Sequence, residues 1–473
     1  MELHVSLVGR HDLAGEIYRQ LRASILEGRL RPGERLPPSR ELALGLCVSR
    51  TTVCVGYDRL VSEGFVTSRA GAGTFVNGHC EPRRGGMRRP PGVLRPRPFW
   101  DEVKLPTGFW RPTEFDLRSG TPDARLFPYE TWRRLMAREL RASAVGHGEY
   151  ADPAGHRGLR EAIARHIGIA RGVVASADDV VVTNGTQQAV DIVARVLLAP
   201  GDRVAVEDPG YGPPRRLFAT LGARVAGVPV DAEGLIVDAI PRDTKLVYVT
   251  PSHQYPLGMS MSLARRMALL AWAERYDAAI IEDDYDSEFR FVGRPIEPLQ
   301  TLDRAGRVIY VGSFSKTMLP TLRIGFVVAP ASVGHAIQAA KFLTDWHTAL
   351  PTQAALARFI DGGWFARHVR RMREVYRARH ERVVATLTTQ FADDLEVVGS
   401  SVGMHVCAIA RAATVDQMAA VVGRASAAGV ECHPLSMFAA GVAPRSGLVL
   451  GYGAIATEDI DEGMRRLRSC FGG

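Results

Sequence analysis

A stretch rich in proline, glycine and arginine divides this chain into two parts of different character. Residues 81–98 read EPRRGGMRRPPGVLRPRP and hold five prolines, three glycines and six arginines. Apolar side chains are too few there to pack into a core, and the prolines exclude a continuous helix. The stretch is therefore predicted to be a linker. Residues 79–98 also carry +5 of the chain's net charge of +8, which fits either a solvated tether or one that binds phosphates non-specifically.

The shorter part, before the linker, has the pattern of three helices and a hairpin. Apolar residues recur at a spacing of four between residues 14 and 27, which predicts a first helix. Further helices are predicted to begin at Ser39 and Ser49, because serine is a favoured N-cap. The turn between them, residues 47–49, is short enough for a helix-turn-helix. The following FVTSRAGAGTFV predicts a hairpin with a glycine turn, a candidate wing.

The longer part, after the linker, alternates short β-branched runs with helical segments. The runs lie at residues 180–183, 203–206, 246–250, 279–281 and 308–311. Helices are predicted between some of them, at 187–198 and 262–276. This alternation predicts an α/β fold with a mostly parallel sheet covered on both faces. Ligands of such sheets bind at the carboxyl ends of the strands, where the polar residues of this part are found.

The first of these strand ends is a candidate anion site. Residues 184–188, NGTQQ, separate the first run from the helix that follows it. Backbone N–H groups and the Thr186 hydroxyl at a helix N-terminus attract an anion, most simply a phosphate. The alternative is an ordinary turn and helix cap.

Charged residues follow two more runs. Residues 282–286, EDDYD, hold four acids that need either solvent or a cationic partner. Residues 312–316, GSFSK, place Lys316 close to the end of a buried run, and Arg323 lies seven residues further on. A partly desolvated lysine can lose its proton and attack a carbonyl as a neutral amine. The spacing therefore fits a Schiff-base lysine as well as a surface charge. Lysine is scarce here, with four beside 55 arginines, and guanidinium cannot perform this chemistry.

Taken in order, these motifs resemble two known families. Five motifs look like the aminotransferase-like domain of fold-type I pyridoxal 5'-phosphate (PLP) proteins: NGTQQAV, EDPGYGPPR, TPSHQYPLG, IEDDYDSEF and YVGSFSKTMLPTLRIGF. The N-terminal part is similar to the winged helix-turn-helix of GntR regulators, over the stretch LPPSRELALGLCVSRTTVCVGYDRLVSEGFVTSRAGAGTFV. The two parts, joined by a basic linker, together resemble the MocR subfamily of bacterial transcription regulators over nearly the whole chain. The resemblance implies a winged helix-turn-helix at 11–78, a linker at 79–112 and an aminotransferase-like domain at 113–473.

The resemblance implies a role in PLP binding for each motif. It makes Lys316 the internal aldimine lysine and Asp283 the partner of the pyridinium nitrogen. Tyr285 would bond the ring 3-oxygen, and Tyr211 would stack on the ring. The phosphate would be held by Gly185, Thr186, Gln187, Ser313, Ser315 and Arg323. Tyr150, in EYADPAGHRGL, matches a tyrosine that reaches the phosphate of the neighbouring subunit. No metal site is predicted.

Two positions depart from the usual aminotransferase pattern. Tyr255 stands where fold-type I enzymes usually have asparagine, so Tyr255 rather than an amide is expected beside the cofactor. In GLVLGYGAI, Val449 stands where relatives that handle amino acids carry an arginine for the substrate carboxylate. The missing guanidinium removes a bidentate contact. Arg215, Arg216 or Arg445 could substitute, or this strand could be misaligned with its relatives.

Five polar residues before the linker are candidates for contact with DNA. They are Arg40 at the start of the second helix, Arg50, Thr51 and Thr52 at the start of the third, and Arg69 in the wing. The first turn of the third helix is expected to enter the major groove, and the wing to touch the backbone or the minor groove. The alternative for each arginine is a solvated charge.

Together, these features predict a PLP-dependent transcription regulator and not an enzyme. It would bind a double-stranded DNA operator and sense either PLP or a small amine or amino acid at Lys316. A homodimer, head-to-tail by resemblance, is expected because paired modules read paired half-sites. The rival interpretations are an active aminotransferase with an appended DNA module and a scaffold that has lost its cofactor.

The sequence also predicts where the protein is found. No apolar run reaches the roughly 18 residues that span a bilayer, and the first ten residues lack the pattern of a signal peptide. Six scattered cysteines form no Cys-x-x-Cys pair, so neither disulfides nor a zinc site is expected. A cytoplasmic, nucleoid-associated protein is predicted.

Overall fold

The computed structural model describes residues 12–69, 71–78, 93–103, 113–141, 148–293, 296–400, 402–441 and 445–472. Within it the chain forms two compact units, Met1–Lys104 and Leu105–Gly473. Residues 79–92 and 104–112 of the predicted linker lie outside the described residues, so its role as a tether stays a prediction. None of the helices in the described ranges combines the length and the apolar character needed to cross a bilayer.

The described residues of the first unit form three longer helices, a two-stranded hairpin and a one-turn helix. Its elements are α1 (Leu13–Leu26), α2 (Ser39–Gly45), α3 (Arg50–Ser62), β1 (Val66–Arg69), β2 (Gly73–Val76) and the one-turn α4 (Phe99–Glu102). The apolar face of α1 is fully buried and shares a small core with α2, α3 and the hairpin. In the hairpin, β1 and β2 pair antiparallel with Val66 opposite Val76. The predicted helices and hairpin are confirmed.

The two predicted serine caps differ. The Ser49 hydroxyl accepts a hydrogen bond from the Thr52 N–H at 3.0 Å and caps α3, as predicted. Ser39 is instead the first residue of α2, and Pro38 holds the N-cap position without a side-chain hydrogen bond. The prediction of a Ser39 cap was wrong because Pro38 itself is extended, with ψ of 138°, and Ser39 takes helical angles immediately after it.

The second unit is organised around an eight-stranded sheet. In chain order, the first strands of this unit are β3 (Phe115–Asp116), β4 (Val180–Thr183), β5 (Arg203–Asp208), β6 (Arg224–Asp231), β7 (Gly234–Leu235), β8 (Thr244–Val249), β9 (Ala279–Asp284), β10 (Val308–Ser313) and β11 (Gly325–Val328). All of them except β3 belong to the eight-stranded sheet. The sheet order is β4-β11-β10-β9-β8-β5-β6-β7. The strands from β10 to β6 pair parallel, while β11 runs antiparallel between β4 and β10 and β7 pairs antiparallel with β6. The predicted mostly parallel sheet is confirmed.

Helices cover both faces of this sheet. They are α5 (Tyr129–Glu139), α6 (Arg157–Arg171), α7 (Thr186–Leu197), α8 (Gly212–Thr220), α9 (Leu263–Arg275), α10 (Leu299–Leu302), α11 (Ala331–Asp345), α12 (Leu350–Asp361) and the long α13 (Trp364–Gln390). Neighbouring residues of β5 show the two-sided burial, because Val204 packs into one apolar cluster and Ala205 into another. A parallel sheet buried on both faces requires such continuous apolar runs.

A smaller antiparallel sheet follows in the C-terminal part. It contains β12 (Leu395–Val397), β13 (His405–Ala410), β15 (His433–Pro434) and β16 (Gly447–Gly451), in the order β12-β13-β16-β15. Two helices accompany it, α14 (Val415–Ala427) and α15 (Ile460–Ser469). The short β14 (Val430–Glu431) pairs parallel with β3 and so joins this part to the start of the unit.

The strand that carries the acidic run is longer than predicted. Instead of ending at residue 281, β9 continues to Asp284 and buries three acids. Glu282 accepts two backbone hydrogen bonds and lies 3.6 Å from the Arg266 guanidinium. Asp284 accepts a hydrogen bond from Arg171 at 2.8 Å. The cationic partners make the burial possible, because a buried carboxylate needs a countercharge or hydrogen-bond donors.

Candidate cofactor and DNA-binding sites

The candidate cofactor residues meet at one edge of the large sheet. Because β9 and β10 are parallel neighbours, Asp283 near the end of β9 and Lys316 just after β10 lie at the same edge. Gly185 lies two residues after β4 at this edge, and Arg323 lies two residues before the antiparallel β11. The Arg323 guanidinium donates to the Asn184 carbonyl at 2.8 Å. Strand order therefore brings together four residues from three separate motifs.

Lys316 has the surroundings of a reactive amine. Its Nζ donates to the Gly120 carbonyl at 2.6 Å. Burial lowers the pKa of Lys316, while the charges of Asp286 and Asp283 oppose this shift. Gly120 has a φ of +92°, and a Cβ there would lie 3.1 Å from Nζ, so glycine leaves room at the amine. A lowered pKa increases the neutral, nucleophilic fraction of a lysine.

Asp283 is a buried carboxylate with one free oxygen. Its Oδ2 accepts a hydrogen bond from the Tyr248 hydroxyl at 2.5 Å. Among the described residues nothing donates to its Oδ1, which is also buried. Burial raises the pKa of Asp283 to about 7; the Tyr248 bond opposes this shift and the Asp284 charge adds to it. Because a buried acceptor without a donor is costly, this oxygen is suited to receive a donor from a ligand.

The loop before α7 forms a cradle for an anion. Gly185 holds the N-cap position with a φ of +76°, and a Cβ there would lie 2.6 Å from the Arg323 guanidinium. The first N–H groups of α7, at Thr186 and Gln187, face this end of the helix. Ser313 and Ser315 lie across from it, joined by a hydroxyl–hydroxyl contact of 2.9 Å. A helix N-terminus beside a guanidinium suits a phosphate.

Three tyrosines lie edge to face beside this cradle. The Tyr255 ring is perpendicular to those of Tyr211 and Tyr285, at centroid distances of 5.6 and 5.9 Å. The Tyr255 hydroxyl lies 2.7 Å from the Ser119 hydroxyl, and the Tyr285 hydroxyl lies 3.0 Å from His253 Nδ1. The structure thus groups the three predicted aromatic residues and supplies hydrogen-bond partners for two of them.

A buried histidine–aspartate cluster adjoins Tyr285 and was not predicted. His253 Nδ1 lies 2.9 Å from Asp286 Oδ2, and His405 Nε2 lies 3.1 Å from the Pro256 carbonyl. Burial lowers the pKa of both histidines to about 3 and raises that of Asp286 to about 8. His253 and Asp286 stand in recognisable motifs, but His405 comes from a distant strand without a local signal. Only the tertiary structure reveals the cluster.

Val449 lies in an apolar environment. It is fully buried on β16, opposite Cys407 of β13, in a cluster that includes Leu257. Two of the possible substitute arginines are held by backbone carbonyls, since Arg215 donates to Ala439 and Arg445 donates to Val230 at 2.9 Å. The residue predicted to replace the usual substrate arginine is therefore a packed apolar side chain.

Tyr150 belongs to an exposed aromatic patch. It is 75% exposed and packs on Trp346 with ring centroids 4.2 Å apart. Phe342 and Leu343 of α11 are also exposed, and Phe342 contacts Trp346. Tyr150 lies outside the tyrosine group that surrounds Tyr255, and its role toward a neighbouring subunit stays a prediction.

The candidate DNA contacts are spread over the exposed side of the first unit. Arg40 is exposed in the first turn of α2, and Arg50 is exposed at the start of α3. The Arg50 Nε donates to the Ser39 hydroxyl at 3.3 Å, which brings the two helix starts together. Thr51 is exposed and Thr52 partly exposed, with the Thr52 hydroxyl 2.7 Å from that of Ser49. Arg69 ends β1 and lies over the Phe75 ring at 5.4 Å.

Comparison with known proteins identifies both units. The family of bacterial regulatory proteins called gntR matches residues 13–76, and the aminotransferase class I and II family matches residues 113–467. The chain is also 38% identical over 471 residues to the "Probable rhizopine catabolism regulatory protein MocR" of Rhizobium meliloti, covering 96% of this chain and 93% of that protein. The chain belongs to the MocR subfamily of GntR-type transcription regulators.

Two further comparisons support the classification of this MocR protein. It is 33% identical over 439 residues to the "HTH-type pyridoxine biosynthesis transcriptional regulator PdxR" of Corynebacterium glutamicum, covering 93% of this chain and 91% of the relative. Among solved structures, it resembles the kynurenine aminotransferase of Pyrococcus horikoshii in complex with PMP, with a TM-score of 0.70 and 29% identity over 76% of this chain and 90% of that one. This member of the MocR subfamily therefore has a DNA-binding unit and a PLP-binding unit.

The residues at the sheet edge fit PLP. The Asp283 Oδ1, which lacks a donor among the described residues, matches a protonated ring nitrogen. The space kept by the glycine at 185 in front of Arg323 matches a phosphate group. The amine of Lys316 lies at the same edge, with its pKa lowered by burial. Acceptor, anion cradle and amine are the three groups that an aldehyde on a phosphorylated pyridine requires.

Replacement of Asp283 by asparagine is expected to stabilise the apoprotein and to weaken its binding of PLP. Because burial raises the Asp283 pKa to about 7, well above its value of about 4 in an unfolded chain, the wild-type apoprotein loses stability as pH rises from about 4 to about 7. The asparagine side chain does not titrate in this pH range, so the variant does not lose stability in this way. The melting temperature of the Asp283→Asn apoprotein should therefore exceed that of the wild type by a margin that grows from pH 5 to pH 8.

The same variant should bind PLP more weakly. A charge-assisted hydrogen bond contributes about 1.5–3 kcal/mol, so the dissociation constant should rise by about 10- to 150-fold. Thermal unfolding across the pH range and fluorescence titration with PLP measure the two effects. Asp393→Asn, at an exposed site, serves as the control and should change neither. A pH-independent difference in melting temperature would contradict the assignment of a buried protonated carboxyl.

Proposed function

We propose that this MocR protein is a transcription regulator whose affinity for its operator changes when the aminotransferase-like domain binds PLP or a small amine. One observation carries the proposal. A complete set of PLP-binding groups occurs in the same unit as an apolar cluster at Val449, where an amino-acid substrate would need a guanidinium. Retention of the cofactor site without the substrate anchor fits sensing better than turnover.

Each residue has a proposed role in this site. Lys316 is the attachment point of the cofactor, Asp283 accepts from the ring nitrogen, and Tyr285 bonds the ring 3-oxygen. Tyr211 stacks on the ring, and Tyr255 lies beside the edge of the ring. The phosphate is held by Gly185, Thr186, Gln187, Ser313, Ser315 and Arg323. The free oxygen of Asp283 and the cradle at the start of α7 support these roles.

The protein's contribution to the chemistry is binding and control of protons. Bound PLP supplies an aldehyde that condenses with amines and a ring that withdraws electrons when its nitrogen is protonated. The Asp283 carboxylate keeps a proton at that nitrogen, because Oδ1 has no competing donor among the described residues. Burial lowers the pKa of Lys316, which increases its neutral fraction, and the Gly120 carbonyl orients its Nζ.

Two effector classes remain within the proposal. The first is PLP itself, which would make the protein a regulator of vitamin B6 supply; similarity to a relative named for pyridoxine biosynthesis favours it. The second is an amine or amino acid whose acid group is bound by residues other than Val449. Occupancy can change operator affinity only if the ligand binds one arrangement of the domains more tightly than another.

Addition of PLP to the apoprotein is expected to change operator affinity by about 5- to 150-fold, the usual range of coupling between two sites. DNA sites are first selected from random sequence with the full-length protein. Fluorescence anisotropy then compares the apoprotein alone, with PLP, with pyridoxine, and with PLP plus a panel of amines. Pyridoxine lacks the aldehyde and should have no effect. An affinity that neither PLP nor any amine changes would contradict the proposal, and a change with an amine alone would exclude the B6 version.

An active aminotransferase is the alternative function. The intact PLP-binding residues and the fold shared with a kynurenine aminotransferase favour it. If a keto acid and an amino acid yield more than one equivalent of product per chain, the protein is an enzyme. A single equivalent or less agrees with the regulator, in which slow half-transamination is compatible with sensing.

We also propose that the protein acts as a homodimer, arranged head-to-tail. The exposed patch of Tyr150, Phe342, Leu343 and Trp346 supports this, because exposed apolar patches commonly mark protein interfaces. In this arrangement Tyr150 serves the phosphate of the neighbouring subunit. Residues 11–78 form the DNA-binding domain, residues 79–112 the linker and residues 113–473 the effector domain of each chain.

A further inference from the structure

A basic cleft opens in the second unit, between α6, the turn at Ser287–Phe289 and α13. Its volume is about 350 Å³, within the range of small-molecule pockets. Phe365 and Val369 of α13 are buried and form an apolar wall. The cleft is separate from the residues assigned to PLP, since none of those residues contributes to its lining.

The charged side chains of the cleft are mostly positive. Among the described residues, four arginines and a histidine line it beside one carboxylate, Glu288; the basic residues are His166, Arg171, Arg290, Arg370 and Arg373. Glu288 lies 3.5 Å from the His166 ring nitrogen. This excess is local, because the chain outside its first 98 residues is almost neutral.

Arg171 is neutralised by Asp284 at 2.8 Å, whereas Arg373 is held in place by a neutral group. Arg373 donates twice to the backbone carbonyl of Glu288, at 3.0 and 2.8 Å, a contact that orients a guanidinium and leaves its charge intact. Arg290 donates to the Ser260 hydroxyl at 3.3 Å. Burial and the nearby charge of Arg171 lower the pKa of Arg290, while the charges of Asp284 and Asp286 oppose this shift. An anion in the cleft would relieve this repulsion.

The deepest arginine connects the cleft to the sheet edge. Arg171 is buried and donates to Asp284 at 2.8 Å and to the Ser252 hydroxyl at 2.6 Å. Asp284 and Asp283 are consecutive residues of β9, so their side chains point to opposite faces of the sheet. The cleft therefore lies behind the strand end that presents Asp283.

We infer that this cleft binds a small multiply charged oxyanion, a phosphorylated metabolite, at a site distinct from that of PLP. The lining arginines outnumber the carboxylate Glu288 even after Arg171 is paired with Asp284, and this excess of positive charge matches a group with two or more negative charges. The apolar wall of Phe365 and Val369 accommodates the carbon part of such a molecule.

Inorganic pyrophosphate is the probe for the experiment. The full-length protein is first saturated with PLP, so that the anion cradle at Gly185 and Arg323 is filled. Isothermal titration at constant ionic strength should then show one site per chain with a dissociation constant below about 1 mM. Arg370→Gln should weaken binding several-fold, and the double variant Arg370→Gln/Arg373→Gln at least tenfold. Both residues are exposed, so folding should not depend on them.

Arg371→Gln is the matched control. Arg371 is exposed on α13, next to Arg370, but does not line the cleft, and its replacement should change the affinity less than twofold. Absence of saturable binding by the wild type would overturn the inference, as would equal binding by the double variant. If the double variant keeps pyrophosphate binding but lowers the salt dependence of operator binding, the arginines contact DNA phosphates instead and the inference is wrong.

Discussion

Replacement of Lys316 by alanine is expected to abolish covalent attachment of PLP. Borohydride reduction followed by intact-mass measurement should show one added pyridoxyl phosphate per wild-type chain and none on the Lys316→Ala chain. The reason is that attachment requires an amine which can lose its proton, and burial lowers the pKa of Lys316. Lys316→Arg should behave like alanine, since guanidinium stays protonated. The response of operator binding to PLP should disappear with the attachment.

Lys245→Ala is the control for this experiment. Lys245 is exposed on β8, and its replacement should leave one attached cofactor per chain. A modified Lys316→Ala chain would contradict the assignment and point to another amine, such as Lys341, which is buried and paired with Asp345. A wild-type chain that never gains mass would favour the scaffold that has lost its cofactor.

Replacement of Arg50 by alanine is expected to weaken operator binding by about 5- to 150-fold and to relax the preference at one base pair. Arg50 lies exposed in the first turn of α3, the position from which a recognition helix reads the major groove. A bidentate arginine–guanine contact provides about 1–3 kcal/mol of discrimination. Anisotropy titrations with the selected site and with single-base variants measure both effects.

The control is Arg19→Ala. Arg19 is exposed on α1 and already paired with Asp12 and Glu16, at 3.1 and 2.7 Å, so its loss should change affinity less than twofold. Salt dependence distinguishes the two possible roles of Arg50. A loss that is uniform over all sequences and lowers the salt slope by about one would identify a phosphate contact and refute base reading.

The local parts of both sites could be predicted from sequence. The helix-turn-helix and its hairpin follow from apolar spacing and turn residues, which act over a few neighbours. The strands that precede Gly185 and Lys316 were predicted because fully buried strands need continuous apolar runs. Strand ends were less predictable: β9 extends to Asp284 because Arg171, 113 residues away in sequence, neutralises its last carboxylate.

The sequence by itself determined the two-part organisation and the order of the motifs, because each depends on residue types within a short stretch, and it led to the prediction that Lys316 is the reactive amine. Only the tertiary structure decided which distant residues share an environment. It places His405 beside His253 and Asp286 and gathers the arginines of α6 and α13 around one cleft. The physical reason is that charge and proton affinity depend on burial and distance, and both are set by strand order and helix packing rather than by neighbours along the chain.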